Sequence, residues 1–176
     1  MGQDKALLTL GDHHTFYARI CAKMLFVPER FLSVSPSQDL QAPGYTVVPD
    51  QHPGTGPMGG ILSVLDRFAG RRLLVVACDM PCFTAREGAR LLSLHRDEDA
   101  LVPVVAGRWQ PLAAVYSPRM APLFREALNR GERRLRNVIA RAHYRLVTVG
   151  EKEASNYLNI NTREEFEELR RKFPLL

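Results

Sequence analysis

The eight residues "RLLVVACD", Arg72 to Asp79, constrain the fold more than any other stretch of this chain. A continuous apolar run rich in branched residues is the pattern of a strand buried on both faces. Such strands occur where helices cover both sides of a sheet. The sequence on either side supplies more strands and the helices between them. "FLSVS" (Phe31 to Ser35), "YTVVPD" (Tyr45 to Asp50), "ALVPVV" (Ala100 to Val105), "PLAAVYS" (Pro111 to Ser117) and "YRLVTVG" (Tyr144 to Gly150) read as strands, the third and fourth joined around Gly107. "FYARICAKMLF", "GGILSVLDRF", "AREGARLLSLH", "MAPLFREALNRG" and "RRLRNVIARA" carry apolar residues at helical spacing, with Ile61, Leu62, Leu65 and Phe68 on one face of the second. A last helix opens on a capping box, Thr162 to the amide of Glu165 and the Glu165 carboxylate back again. Strands alternating with helices predict an α/β fold with a largely parallel sheet, expected here as a single domain over residues 1–176. In such sheets ligands bind beyond the carboxyl ends of the strands.

Charge and composition narrow the partners. The net charge of +5 favours an anionic one. No aromatic-studded basic groove and no zinc-finger spacing is present, so nucleic acid is not expected. No apolar run approaches the ~20 residues that span a bilayer, and the start shows no signal-peptide pattern. The three cysteines, an odd number, speak for a reducing cytoplasm, with Cys78 and Cys82 as small core residues.

Three loops should meet at the carboxyl ends of the strands. "MGQDKALL" offers Lys5, whose compact ammonium suits phosphate oxygens, although an Asp-Lys pair is also an ordinary surface feature. "VVPDQHPGTGPMGGI" ends a strand on Asp50 and then enters a helix through four glycines and two prolines. Glycine lets backbone approach a ligand, and helix-start amides favour anions, but a loop capped by a helix reads the same way. "LLVVACDMP" places Asp79 after the apolar strand, where a carboxylate can hold Mg²⁺ or simply start the turn before Pro81. Weaker candidates are Arg108, Trp109 and Gln110 in "GRWQPL", and Asn159 and Asn161 before the last helix, where asparagine often only caps.

In this order, "MGQDKALL", "VVPDQHPGTGPMGGI", "LLVVACDMP", "RWQPLAAVY", "GERRLRNVI" and "LNINTREEF" resemble the molybdenum cofactor guanylyltransferases, the MobA family. The resemblance implies a three-layer, Rossmann-like nucleotidyltransferase fold. It implies transfer of GMP from GTP to molybdopterin with Mg²⁺, forming the guanine dinucleotide cofactor and releasing pyrophosphate. Transfer of CMP to the same cofactor, or a non-catalytic pterin-binding or adaptor role, are the alternatives. By match, Lys5 and Asp79 are catalytic, and Asp79 holds the metal. Lys5, Ser35, Asp50, Gly56 and Gly59 serve the nucleotide, and Gln110, Arg133, Arg134, Asn159 and Asn161 line the pterin side. Molybdoenzyme chaperones or other cofactor-biosynthesis proteins are implied as partners. The family begins with a strand and a loop of the form L-A-G-G-x-S-x-R directly before the position of Met1. The expectation is therefore that this first strand, set between the strands at Phe31 and Leu73, is missing from the sequence as given.

Overall fold

The computed structural model describes residues 5–9, 14–68 and 70–172. A 3-10 turn at Lys5–Leu7 leads to α1 (Phe16–Lys23), β1 (Phe31–Val34), β2 (Thr46–Pro49) and α2 (Pro57–Arg67). Then follow β3 (Leu73–Val76), α3 (Ala85–Leu94), β4 (Ala100–Val105), β5 (Arg108–Trp109) and β6 (Ala113–Tyr116). The chain closes with α4 (Met120–Asn129), α5 (Leu135–Ile139), β7 (Tyr144–Thr148), a 3-10 turn at Ala154–Tyr157, and α6 (Arg163–Lys172).

Every strand and helix read from the sequence is present, most of them trimmed by a few residues. The capping box at α6 forms: Glu165 N donates to Thr162 Oγ1 at 3.1 Å, and Thr162 N donates to Glu165 Oε2 at 3.0 Å. The segment at Arg133 is helical only from Leu135. Arg134 is still extended, and the Glu132 carboxylate accepts the amides of Arg133 and Arg134 from outside the helix. Among the described residues no helix is long and apolar enough to cross a membrane.

The strands form two sheets. β1 and β2 pair in parallel, from Phe31 opposite Thr46 to Val34 opposite Pro49. In the second sheet β6 lies antiparallel between β3 and β4, and β7 runs parallel to β4 on its other edge. Thus β3, β4 and β7 point one way, while β6 and the two-residue β5 point the other. The reversal has a local cause. Antiparallel neighbours can be joined by a tight turn where parallel ones need a crossover. The turn here is Ala106–Gly107, both at positive φ.

Alternation along β4 and β6 divides the core. Ala100, Val102, Ala114 and Tyr116 face one side with Leu62 of α2 and Phe124 of α4. Leu101, Ala113 and Val115 face the other with Ile20 of α1 and Leu91 of α3. Helices therefore cover both faces, as the apolar strands require. β3 departs from the expectation of full burial: Leu73 to Val76 are only half-buried. The reason is its position. Among the described residues β3 pairs only with β6, and β1 only with β2. A cleft of about 850 Å³ separates them, lined by both strands, by α1 and by α2. This is where the resemblance sets one more strand.

Candidate active site

Ser35, Asp50, Gly56 and Asp79 line the same end of this cleft, beyond the carboxyl ends of β1, β2 and β3. Asp50 directly follows β2, and its amide donates to Val34 O of β1 at 2.8 Å. Its Oδ1 accepts the His52 amide at 2.8 Å, which closes an Asx turn. Ser63, buried on α2, supports that turn. Its Oγ accepts from Gln51 N at 2.9 Å, donates to Gly59 O at 2.8 Å and lies 3.5 Å from Asp50 Oδ1.

Two glycines are required here by geometry. Gly56, the residue before α2, has φ of 73°, a region that L side chains rarely adopt. A Cβ on Gly59 would lie 2.8 Å from His52 O and 2.9 Å from Asp50 Oδ1. No side chain caps the start of α2, and Pro57 occupies its first turn. The helix therefore presents its first amides towards the loop, the usual provision for an anion.

Asp79 lies three residues past β3, in the turn that Met80 N closes on Ala77 O at 3.3 Å. Beneath it Met80 and Phe83 are fully buried. The segment before α6 holds the turn from the other side. Ile160 N donates to Asp79 O at 2.9 Å. With its amide nitrogen facing the carboxylate, Asn159 donates to Asp79 Oδ1 at 2.6 Å and to Oδ2 at 3.1 Å. Among the described residues no cluster of three or more metal-ligating acids, histidines or cysteines exists. One half-buried carboxylate still suits Mg²⁺, which binds through one or two carboxylates and takes its other ligands from water and phosphates.

Among the described residues, the remaining candidates do not line the cleft. Arg133 Nη1 donates to Gly54 O at 2.6 Å, which ties the basic segment to the glycine loop. Arg134 is exposed beside it. Gln110 sits in the turn before β6, its amide donating to Pro103 O at 2.8 Å. The neighbouring Trp109 lies 5.0 Å beneath the Arg136 guanidinium. Asn161 donates its amide to Glu165 Oε2 at 2.6 Å, a helix-start role. Lys5 begins the first 3-10 turn, and Ala6 packs against Val34 and Leu40 near the end of β1. The Lys5 side chain lies outside the described residues.

One group escaped the sequence reading. Glu87 on α3 is 3% exposed and takes both oxygens' bonds from Arg90, Nε to Oε2 at 2.7 Å and Nη2 to Oε1 at 2.6 Å. The Tyr157 hydroxyl, from the second 3-10 turn, donates to the same carboxylate. Burial pushes the Glu87 carboxyl up, but the bonds from Arg90 and Tyr157 outweigh it and leave it below its usual range. The i, i+3 spacing of Glu87 and Arg90 was visible in the sequence, whereas the partner 70 residues away was not.

Comparison with known proteins places the chain in a family. The family described as "MobA-like NTP transferase domain" matches residues 1–147. A probable molybdenum cofactor guanylyltransferase of Flavobacterium johnsoniae is 24% identical over 168 residues, 95% of this chain and 88% of that protein. One from Clostridium perfringens is 32% identical over 136 residues, 73% of this chain and 69% of that protein. Among solved structures, molybdopterin-guanine dinucleotide biosynthesis protein A from Archaeoglobus fulgidus superposes with a TM-score of 0.82 at 20% identity, covering 99% of this chain and 93% of the other. A 2-C-methyl-D-erythritol 4-phosphate cytidylyltransferase from Thermus thermophilus reaches 0.77 at 14% identity, over 99% and 96% of the two chains.

Proposed function

The chain belongs to the MobA-like NTP transferase family, and from that premise we propose that it transfers GMP from GTP to molybdopterin. The terminal phosphate oxygen of molybdopterin forms a bond to the α-phosphorus of GTP. The bond from that phosphorus to the β-phosphate bridging oxygen breaks, and pyrophosphate leaves. The acceptor is itself a phosphate, so no nucleophile is needed from the protein. What the protein must supply is alignment of two anions and neutralisation of the charge between them.

The observation that carries this reading is the convergence of Asp50, Gly56 and Asp79 on one cleft. The glycine loop and the uncapped start of α2 receive the nucleotide phosphates, and Ser35 and Asp50 lie on the nucleoside side. Lys5 is the lysine that the family resemblance assigns to the nucleotide phosphates. Asp79 holds Mg²⁺, which when bound neutralises the phosphates as they approach. Arg133 and Arg134 reduce repulsion on the pterin side, to which Gln110 and Asn161 are also assigned. The three cysteines are free, which suits a reducing cytoplasm.

The test is turnover of the purified protein with GTP, molybdopterin and Mg²⁺, with CTP run beside GTP because the cytidylyltransferase shares the fold. Asp79→Ala is expected to lose Mg²⁺-dependent pyrophosphate release by at least a hundredfold, with little change in melting temperature, as on removal of a main electrostatic stabiliser. Normal turnover in that variant would refute the assignment of Asp79.

A further inference from the structure

The Glu87, Arg90 and Tyr157 group lies outside the cleft, yet it is bonded to the segment that touches Asp79. Following the chain shows the connection. Tyr157 is anchored on α3 by the Glu87 carboxylate and by edge-to-face packing on Phe83 at 5.8 Å. Two residues later the Asn159 amide meets the Asp79 carboxylate, and the next backbone amide, Ile160 N, meets the Asp79 carbonyl. Phe83 and Met80 belong to the same buried cluster as Tyr157, so the Asp79 turn and the 157–160 segment rest on one support.

Each contact alone is a common structural detail, but together they have a direction. A carboxylate in a turn can rotate about χ1 and χ2. Here two donors from one short segment fix both its backbone and its side chain. The far end of that segment is held by a bond between a phenol and a buried carboxylate that Arg90 grips through both oxygens. Hydrogen bonds to charged groups are the strong kind, and in a buried network each depends on the others.

We propose that residues 157–160 are a clamp that sets the position of the Asp79 carboxylate. Asn159 is the positioning residue in contact, and Tyr157 with Glu87 positions Asn159 from within the core. This assigns Asn159 to the metal side of the cleft, where the family resemblance had set it on the pterin side. The inference rests on the reading that Asp79 holds the divalent cation, and its test separates the two.

The experiment measures Mn²⁺ affinity by electron paramagnetic resonance on the full chain, together with kcat and KM for GTP. Asn159→Ala is expected to weaken Mn²⁺ by at least roughly tenfold, the low end of the effect of losing hydrogen bonds to a charged group, and to lower kcat with KM for GTP little changed. Tyr157→Phe keeps the ring and removes only the hydroxyl. It should weaken Mn²⁺ in the same direction by a smaller factor. The double variant should bind Mn²⁺ no more weakly than Asn159→Ala alone, because Tyr157 acts through Asn159. In the metal-free protein, the Asn159 side-chain amide resonances should move towards free-amide positions in Tyr157→Phe.

Additive losses in the double variant, or unmoved amide resonances, would overturn the clamp. Should Tyr157→Phe fail to fold, Glu87→Gln tests the same link, since it keeps the side-chain shape and weakens the anchor. An Asp79→Ala variant that still binds Mn²⁺ normally would defeat the metal reading and the clamp with it. Loss of Mn²⁺ binding in Asp79→Ala with none in Asn159→Ala would defeat the clamp alone.

Discussion

Single residues in this protein are constrained most where a polar atom must be buried. His95 ends α3 and is 7% exposed, and both of its ring nitrogens are buried without a partner among the described residues. Burial pushes its pKa down, the Glu98 carboxylate opposes that, and Arg72 and Arg145 add to the depression, so the net shift is downward. The folded state therefore binds the proton less readily than the unfolded chain, whose histidine titrates near 6.5. Stability from this site is complete above that pH and is lost as the pH falls below it. His95→Leu removes the proton and the unpaired atoms together. Thermal melts at pH 7.5 and 5.5 should show a smaller drop for the variant than for the parent chain, and an equal drop would refute the account. This buried histidine was not legible in the sequence, because its surroundings include Arg145 of β7, far along the chain, beside the nearby Glu98. Asp50 and Asp79 were legible for the opposite reason: each follows an apolar strand, so the chain itself puts them at its end. Asn159 was visible as a candidate, but its partner was not.

Elements were read best where their signals are local. The α6 capping box needs only residues 162–165, and both of its bonds form as written. Thr162→Ala should cost about 1 kcal/mol, the usual value for a lost cap. The change is readable as a lower melting temperature, because Leu169 of α6 is buried with Phe16 and Ile160. No loss would mean that tertiary packing alone holds the helix. α5 was read too long for one local and one distant reason. Its basic residues favour helix, but Glu132 takes the amides of Arg133 and Arg134, and the Arg133 side chain is drawn to the Gly54 carbonyl. β5 and the reversed β6 were half legible: Gly107 announced the turn, and the pairing decided that it was a hairpin.

At the scale of the molecule, the two sheets meet α2 from one side but share no strand among the described residues. The apolar run at Leu73 read as buried on both faces because composition reports hydrophobicity, not how many neighbours a strand has. β4 is paired along both edges, to β6 and β5 on one and to β7 on the other. β1 and β3 each turn one edge to the 850 Å³ cleft. Among the described residues no strand pairs with the cleft-facing edges of β1 and β3, whereas β4 has strand partners on both sides. Local opening is easiest where buried contacts are few and backbone bonds are solvated. Hydrogen exchange followed by mass spectrometry should therefore be fast for peptides covering 31–35 and 73–77, and slow for those covering 100–105 and 113–116. A dye that reports exposed apolar surface should bind the native chain, since Leu32, Ile61, Val64 and Val75 line the cleft. Protection of 31–35 and 73–77 equal to that of β4 would mean that the cleft is filled in solution. The site at its carboxyl end would then rest on a continuous sheet, with Asp50 and Asp79 held at a fixed separation across it.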